Sequence, residues 1–189
     1  MKKMTEIIWH GRGGQGAKTA ATMLAAMAIH EGKYSQGSPE YGPERQGAPM
    51  KGYTRISSDP VRIHSSIREG DVAVVLDATL LKTVDVLGQL KPDGVLIVNT
   101  TKSPDELRAE LGAPPSVKVY TVDATGISIA ELKRNLPNTP LLGALVKVTG
   151  ILSLDTVVED ARVKFGKKFS SDVVEGNIRA IERAYREVK

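Results

Sequence analysis

Residues Ile7–Thr19 read IIWHGRGGQGAKT, and this stretch decides the fold class of the 189-residue chain. Its first apolar residues end abruptly at Gly11, a pattern typical of a buried strand that stops at a turn. Four of the six residues 11–16 are glycine, and the following segment, Ala17–His30, is apolar nearly all round, as expected of a buried helix. A strand, a glycine turn and a buried helix in this order predict a Rossmann-like start to an α/β fold.

Three further apolar runs rich in β-branched residues predict the other core strands: Val72–Leu76, Val95–Val98 and Val117–Val122. Helix-like stretches separate these runs, which favours a largely parallel sheet with helices on both faces. We therefore expect a three-layer α/β sandwich with a mostly parallel, mixed sheet. We also expect a single domain over residues 1–189, because a chain of this size buries roughly 70% of its unfolded surface in one core.

Three helices carry clear end signals. The segment Ser103–Gly112 opens with a capping serine, a proline and a capping-box glutamate, and it closes on glycine. Thr139 and the proline after it repeat the start signal ahead of an apolar face that extends to Leu152. The last segment opens at Ser171 or Asp172 as an amphipathic helix.

The segment Ser35–Pro49 is rich in glycine and proline and almost free of aliphatic side chains, where an ordinary doubly wound fold has its second strand. This composition predicts a long loop. Lys51–Ile56 and Val61–Ile67 then resemble two short strands joined around Ser57–Pro60, and we expect them to pair antiparallel at the sheet edge.

Composition excludes several kinds of site. The chain has 26 Lys and Arg against 22 Asp and Glu, a net charge of +4 that we interpret as solvated surface. It contains no cysteine, so it cannot hold iron–sulfur clusters, thiolate zinc, disulfides or a cysteine nucleophile. An electron relay would have to lie in another chain.

Metal, nucleic-acid and membrane binding are also not expected. His10, His30 and His64 share no metal-ligand spacing, and no catalytic triad or carboxylate pair is evident, so we predict no metal site and no catalysis by the isolated chain. His10, at the end of the first strand, either touches a ligand or is satisfied by backbone groups.

Aromatic residues are only 4% of the chain, which argues against nucleic acid. The apolar run Leu24–Ile29 is far shorter than the roughly 20 residues of a membrane span, and no signal peptide is apparent, so a cytoplasmic protein is expected.

The glycine turn, Gly11–Gly16, is the strongest candidate for a binding site. The free N–H groups and dipole at the start of the following helix favour an anion such as phosphate. The predicted ligand-binding residues are Gly11, Arg12, Gly13, Gly14, Gln15, Gly16, Lys18 and Thr19. A second interpretation is that the glycines only allow the strand and helix to pack closely.

The sequence fits neither common nucleotide motif in full. The glycine spacing matches G-x-G-x-x-G, but the ribose-binding acid expected near Gln36–Ser38 is missing and only Glu40 lies nearby, which disfavours NAD. A phosphate-binding P-loop nearly fits, but Ala17 intervenes before Lys18 and rotates it by about 100° around the helix. With Asp77 as a magnesium-binding acid, a P-loop-like ATPase remains the alternative.

Two motifs at matching separation identify a family. The glycine turn followed by SPEYGPERQG at Ser38–Gly47 resembles the gamma subunits of 2-oxoacid:ferredoxin oxidoreductases, most of all those of the pyruvate enzymes. The similarity extends through Met50–Ile56, the strand ending in Asp77, the Asn99–Thr100 strand end and Asn138–Gly150. Gln46–Gly47 stands where the family commonly has a glycine pair, so branched-chain oxoacids stay open as substrates beside pyruvate.

The resemblance implies a subunit of a hetero-oligomer that oxidatively decarboxylates pyruvate to acetyl-coenzyme A with ferredoxin as electron acceptor, and that runs in reverse as pyruvate synthase. It also implies alpha, beta and delta subunits as partners, with thiamine diphosphate and the iron–sulfur clusters held by those partners. This chain would assist assembly. The absence of cysteine and of a Gly-Asp-Gly thiamine motif agrees with that role.

The resemblance also suggests a ligand for the glycine turn. Coenzyme A carries a pyrophosphate and a 3′-phosphate, and Arg12, Gln15 and Lys18 are the expected contacts. In the predicted loop, Glu40, Tyr41, Glu44 and Arg45 would face either partner subunits or the coenzyme; a solvated surface loop is the alternative.

Overall fold

A six-stranded mixed sheet forms the centre of the computed structural model, which describes residues 4–40 and 47–189. The strands are β1 (Met4–Arg12), β2 (Tyr34–Pro39), β3 (Pro49–Ser57), β4 (Gly70–Val75), β5 (Leu90–Asn99) and β6 (Lys118–Val122). Their order is β2-β3-β1-β4-β5-β6. β1, β4, β5 and β6 run parallel, whereas β3 is antiparallel to both β1 and β2, so the predicted mixed sheet is confirmed.

The described residues form six α-helices, which pack on the two faces of the sheet: α1 (Ala17–His30), α2 (Pro104–Leu111), α3 (Ala124–Leu132), α4 (Asn138–Thr149), α5 (Leu154–Gly166) and α6 (Ser171–Glu187). α2 has the predicted capping box between Ser103 and Glu106. α4 ends three residues earlier than predicted, because Gly150 takes a left-handed conformation with φ of 60° that stops the helix. Within the described ranges, no helix has the length and apolarity needed to cross a membrane.

The sheet separates two apolar cores. On one face, side chains such as Ile7, Trp9 and Val74 pack against α1, α3, α4, α5 and α6. On the other face, Val75 and Val98 pack against α2 and the short 3₁₀ turns before β5. Helical structure therefore covers both faces, as predicted, because alternate residues of each buried strand point to opposite sides.

The antiparallel edge differs from the sequence prediction. The first part of the expected Ser35–Pro49 loop is a strand, β2, and the expected Val61–Ile67 strand is irregular. β3 already pairs with β1 on one side and with β2 on the other, so the predicted pairing of residues 61–67 with β3 finds no free edge of that strand. That segment instead lies against the edge strands, where Arg55 donates to the Ile63 carbonyl and Gln36 contacts His64 at 2.9 Å.

Close packing of α1 explains the composition of β2. A Cβ on Gly37 would lie 2.9 Å from the Ala21 carbonyl oxygen and 2.9 Å from the Ala25 Cβ. Glycines on three neighbouring strands meet alanines one turn apart on α1; the residues are Gly11, Gly37 and Gly52 beneath Ala17, Ala21 and Ala25. The helix therefore lies nearer to this half of the sheet than larger side chains allow.

Candidate functional site

The carboxyl ends of β1 and β4 meet at one edge of the sheet, and the glycine turn lies there. A pocket of about 250 Å³ opens beside it, bordered by polar residues that include Gln15, Asp77, Thr79, Asn99, Thr125 and Asn135. In open α/β sheets, ligands bind in the crevice outside the carboxyl ends of the strands. This edge is therefore the candidate functional site.

The glycine turn is held by backbone contacts. The Gly13 N–H donates to the Ala48 carbonyl at 2.9 Å, and the Gly47 N–H donates back to the Gly13 carbonyl at 3.2 Å. Gly14 and Gly16 have φ of 95° and 88°, a left-handed region that a side chain disfavours. Gly16 is the N-cap of α1, and no side chain among the described residues caps the helix. The turn is thus fixed while the first N–H groups of α1 stay uncapped.

Arg12 joins the turn to the end of β4. Its Nε donates to Asp77 Oδ2 at 3.1 Å. The same guanidinium donates to the Gly47 carbonyl at 3.1 Å and to Thr79 Oγ1 at 3.0 Å. Arg12, which was predicted to contact a ligand, therefore has a structural role, because it links the end of β1 to Gly47 and to the segment that follows β4.

Asp77 is the centre of this network. Its Oδ2 also accepts from Gln15 Nε2 at 2.9 Å, and its Oδ1 accepts from the Thr79 N–H at 2.9 Å and Oγ1 at 2.6 Å. Burial raises the pKa of Asp77, but the hydrogen bonds from Thr79 and Gln15 and the charge of Arg12 outweigh it, and the pKa lies below its ordinary value. Asp77 is therefore ionised, with all its acceptor positions in use.

We expect the stabilisation from Asp77 to depend on pH. Because the folded-state pKa is lowered, the stabilisation is fully present above the unfolded-state pKa of about 4 and is lost as the pH falls through the folded-state pKa. The free-energy difference between wild type and Asp77→Asn should therefore be largest near pH 7 and shrink below about pH 4. Urea denaturation at several pH values measures it, with Asp105→Asn, at an exposed acid of α2, as control. A difference independent of pH would contradict this assignment.

Lys18 and Thr19 lie exposed on the first turn of α1. Among the residues described, the Lys18 ammonium group has no ion pair, and the first turn of α1 contains no acid. Two features predicted from the sequence, a helix N-terminus without a side-chain cap and a cation, thus belong to the same turn of α1. An anion at this position would meet both.

The structure adds asparagines to which the sequence analysis gave no role. Asn99, at the end of β5, donates to the Leu76 carbonyl and to Thr125 Oγ1, both at 2.8 Å, and it accepts from the Thr125 N–H at 3.0 Å. Asn135 borders the same pocket, and the carboxamide of Asn138 lies against Gly16. In the sequence, a polar residue at the end of an apolar strand could have indicated a role for Asn99. No comparable pattern indicates residues 135 and 138.

The three histidines lie in different surroundings. Burial, reinforced by the nearby charge of Lys51, lowers the pKa of His10 to about 4, and its Nε2 is buried without a partner in the described structure. His30 contacts Asp160 at 2.7 Å, whereas His64 contacts Gln36. Over residues 4–40 and 47–189, no group of three His, Cys, Asp or Glu side chains is arranged to hold a metal ion.

Of the four loop residues expected to face a partner or the coenzyme, only Glu40 can be placed. It accepts from the Tyr53 hydroxyl at 3.0 Å and lies 3.9 Å from the Lys51 ammonium group. Burial and the Glu40 carboxylate raise the pKa of Tyr53 to about 12, so the phenol stays protonated and continues to donate. Tyr41, Glu44 and Arg45 lie outside the described residues.

The family model and the relatives found by sequence comparison all belong to pyruvate oxidoreductases. The family model for pyruvate ferredoxin/flavodoxin oxidoreductase matches residues 6–187. Pyruvate synthase subunit PorC of Thermotoga maritima is 50% identical over 188 residues, which cover 100% of this chain and 96% of the relative. The common gamma subunit of the pyruvate/ketoisovalerate oxidoreductases of Thermococcus kodakarensis is 48% identical over 182 residues, 96% of each chain.

Solved structures agree with the sequence comparisons. The crystal structure of pyruvate oxidoreductase subunit PORC from Thermotoga maritima superposes with a TM-score of 0.86 at 45% identity, covering 100% of this chain and 98% of that chain. The gamma subunit of a keto/oxoacid ferredoxin oxidoreductase from Geobacter sulfurreducens has a TM-score of 0.77 at 24% identity, covering 98% and 97%, and it shares the fold.

Proposed function

The chain belongs to the pyruvate ferredoxin/flavodoxin oxidoreductase family, and from this we propose that it is the gamma subunit of a pyruvate:ferredoxin oxidoreductase that also works as pyruvate synthase. The observation that carries the proposal is the 50% identity to a pyruvate synthase subunit over the whole chain. The multi-subunit enzyme converts pyruvate and coenzyme A to acetyl-coenzyme A and carbon dioxide, with ferredoxin as electron acceptor.

The redox groups belong to the partner subunits in this proposal. The chain has no cysteine and therefore no thiolate to ligate an iron–sulfur cluster. We assign thiamine diphosphate and the clusters to the alpha, beta and delta subunits, and we assign to this chain a role in assembly. The cytoplasmic location stays a prediction.

We further propose that the glycine turn helps to bind coenzyme A, whose thiol receives the acetyl group. Within residues 4–40 and 47–189, Lys18 has no ion-pair partner and stands on the first turn of α1, so it is assigned a direct contact with phosphate, together with Thr19 and the amides of the turn. Arg12 and Gln15 bond to Asp77, and they are assigned to holding the turn in shape. A pocket of about 250 Å³ suits one group of the coenzyme, since sites for whole drug-sized ligands are roughly 300–1,000 Å³.

The P-loop-like ATPase is not favoured. A magnesium ion at Asp77 would have to displace the donors that already occupy both of its oxygens. Branched-chain oxoacids are also not favoured over pyruvate, but the Thermococcus kodakarensis relative is named for pyruvate and ketoisovalerate enzymes together. The experiment therefore includes both oxoacids.

The test is co-expression of the tagged chain with the other subunits of its enzyme. We expect a complex with iron–sulfur absorbance that reduces ferredoxin only when pyruvate and coenzyme A are present. Lys18→Ala should raise the apparent KM for coenzyme A about tenfold and leave kcat unchanged, because one charge-assisted contact is removed. Lys118→Ala, at an exposed lysine of β6, is the matched control.

Each part of the proposed function would be refuted by a different result. Failure of the wild-type chain to assemble would refute its role as a subunit. Turnover of ketoisovalerate in place of pyruvate would refute the substrate. Equal KM values for Lys18→Ala and Lys118→Ala would refute the contact between Lys18 and the coenzyme.

A further inference from the structure

The two outer edges of the sheet end differently. At the β6 edge the chain covers part of its own strand: the Thr121 N–H donates to the Lys189 carbonyl, and the Lys189 N–H donates back to the Thr121 carbonyl, both at 3.0 Å. At the opposite edge β2 is the outermost strand, and no described strand lies beyond it. An outermost strand offers a row of backbone donors and acceptors to which another strand can add.

The pairing of β2 with β3 shows which backbone groups point outward. The residue after β2, Glu40, donates from its N–H to the Lys51 carbonyl at 2.9 Å. In an antiparallel pair every second residue bonds to the partner strand, so counting back from Glu40 leaves the backbone groups of Ser35, Gly37 and Pro39 directed away from β3. Proline has no N–H. The open edge therefore presents two N–H donors, and neither has an acceptor within residues 4–40 and 47–189.

β2 lacks the features that commonly protect an edge strand from pairing. None of its six residues is charged, and its proline stands at the last position, where it does not replace either outward N–H group. Close packing under α1 requires small residues on one face of the strand only. Tyr34, Gln36 and Ser38 lie on the other face and are uncharged as well. This edge is therefore suited to pairing with another strand.

Exposed apolar side chains flank the open edge on both faces of the sheet. Tyr34 begins β2, and Ile29 lies in the last turn of α1, which packs over β2. On the face opposite α1, Arg55 donates both to Gln36 of β2 and to the carbonyl of Ile63. Tyr34, Ile29 and Ile63 are 50%, 59% and 47% exposed. A strand added to β2 would cover apolar surface on both of its own faces.

We propose that the open edge of β2 binds an extended segment of a partner subunit, which extends the sheet by one strand. The backbone of that segment bonds to Ser35 and Gly37. Its side chains alternate between the two faces, and apolar ones contact Ile29 on one face and Tyr34 and Ile63 on the other. The segment needs no charge of its own, because β2 has none. The inference rests on the proposed function, since the segment belongs to another subunit of the same enzyme.

The test uses a residue whose N–H points outward. Ser35→Pro removes one donor of the open edge and places the proline ring in the path of the added strand, but it breaks no hydrogen bond between β2 and β3. Ser35→Ala is the matched control. Both variants lose the bond from Ser35 Oγ to the Ala25 carbonyl, and only the proline also lacks the N–H. The two isolated variants should therefore melt within a few degrees of each other.

Each tagged chain is co-expressed with the other subunits, and dissociation of the purified complex on dilution is followed by native mass spectrometry. We expect the Ser35→Ala complex to behave as wild type and the Ser35→Pro complex to dissociate at a concentration at least about tenfold higher. Hydrogen–deuterium exchange of the wild type gives an independent measure. The amides of Ser35 and Gly37 should exchange rapidly in the isolated chain and slowly in the complex.

Equal dissociation of the Ser35→Pro and Ser35→Ala complexes, or exchange of residues 34–39 that assembly does not slow, would overturn the inference and leave the role as a subunit intact. A dimer of the isolated wild-type chain that Ser35→Pro abolishes would also overturn it, because the edge would then bind a second copy. Failure of the wild type to enter the complex would overturn the proposed function together with the inference.

Discussion

Gly143→Ala is expected to lower the free energy of unfolding by about 3 kcal/mol, at the upper end of the usual overpacking range. Gly143 lies in the middle of α4, where a Cβ would stand 2.0 Å from the Ile181 carbonyl oxygen of α6. Backbone atoms cannot rotate away as side chains do, so the two helices must separate. For a chain of this length the loss corresponds to a decrease in Tm of roughly 6–12 °C, measured by calorimetry or circular dichroism.

Gly166→Ala is the matched control for this prediction. Gly166 is the last residue of α5, and a Cβ there would meet nothing within 4 Å. Alanine should leave stability unchanged or raise it by up to about 1 kcal/mol, because it restricts the unfolded chain. Equal melting temperatures for the two variants would show that α4 and α6 do not approach as closely as described.

Gly52→Val is expected to displace α1 from the sheet. A Cβ on Gly52 would lie 2.9 Å from the Ala21 Cβ and 3.0 Å from the Ala17 carbonyl oxygen, and valine adds two further methyl groups. We expect a loss of about 3 kcal/mol in the free energy of unfolding. Because Ala17 follows the glycine turn directly, the apparent KM for coenzyme A should rise at least about tenfold where the variant is still folded.

Lys51→Val is the control that shows whether any substitution by valine in β3 lowers the stability. Lys51 is the preceding residue of the strand, and its side chain lies on the face of the sheet opposite α1. Valine suits a strand and should change Tm by only a few degrees. If Gly52→Val melted at the same temperature as Lys51→Val and kept the wild-type KM for coenzyme A, the close packing of α1 would not control the site.

The local patterns that predicted the fold correctly are those whose physical cause lies within one segment. The apolar run of β1, the glycine turn and the apolar α1 follow one another along the chain. The capping box of α2 needs only residues 103–106. Hydrophobic period and helix capping act over a few residues, so the sequence expresses them directly.

The edge of the sheet was predicted incorrectly because its secondary structure depends on tertiary contacts. β2 contains Gly37 and small polar residues, which on their own favour a loop. They form a strand because α1 lies directly above them and β3 offers a free edge. For the same reason Val61–Ile67, with a better strand composition, is left without a partner strand.

The sequence alone determined the α/β class, the family and the position of the glycine turn, because these depend on neighbouring residues and on motifs at fixed spacing. Only the tertiary structure decided what surrounds that turn. Arg12 meets Asp77 across 65 residues because β1 lies beside β4, and Gly16 meets Asn138 because α4 returns to the same end of the sheet. Such contacts follow from the order of strands and the direction of helices, which the global packing of the apolar core sets.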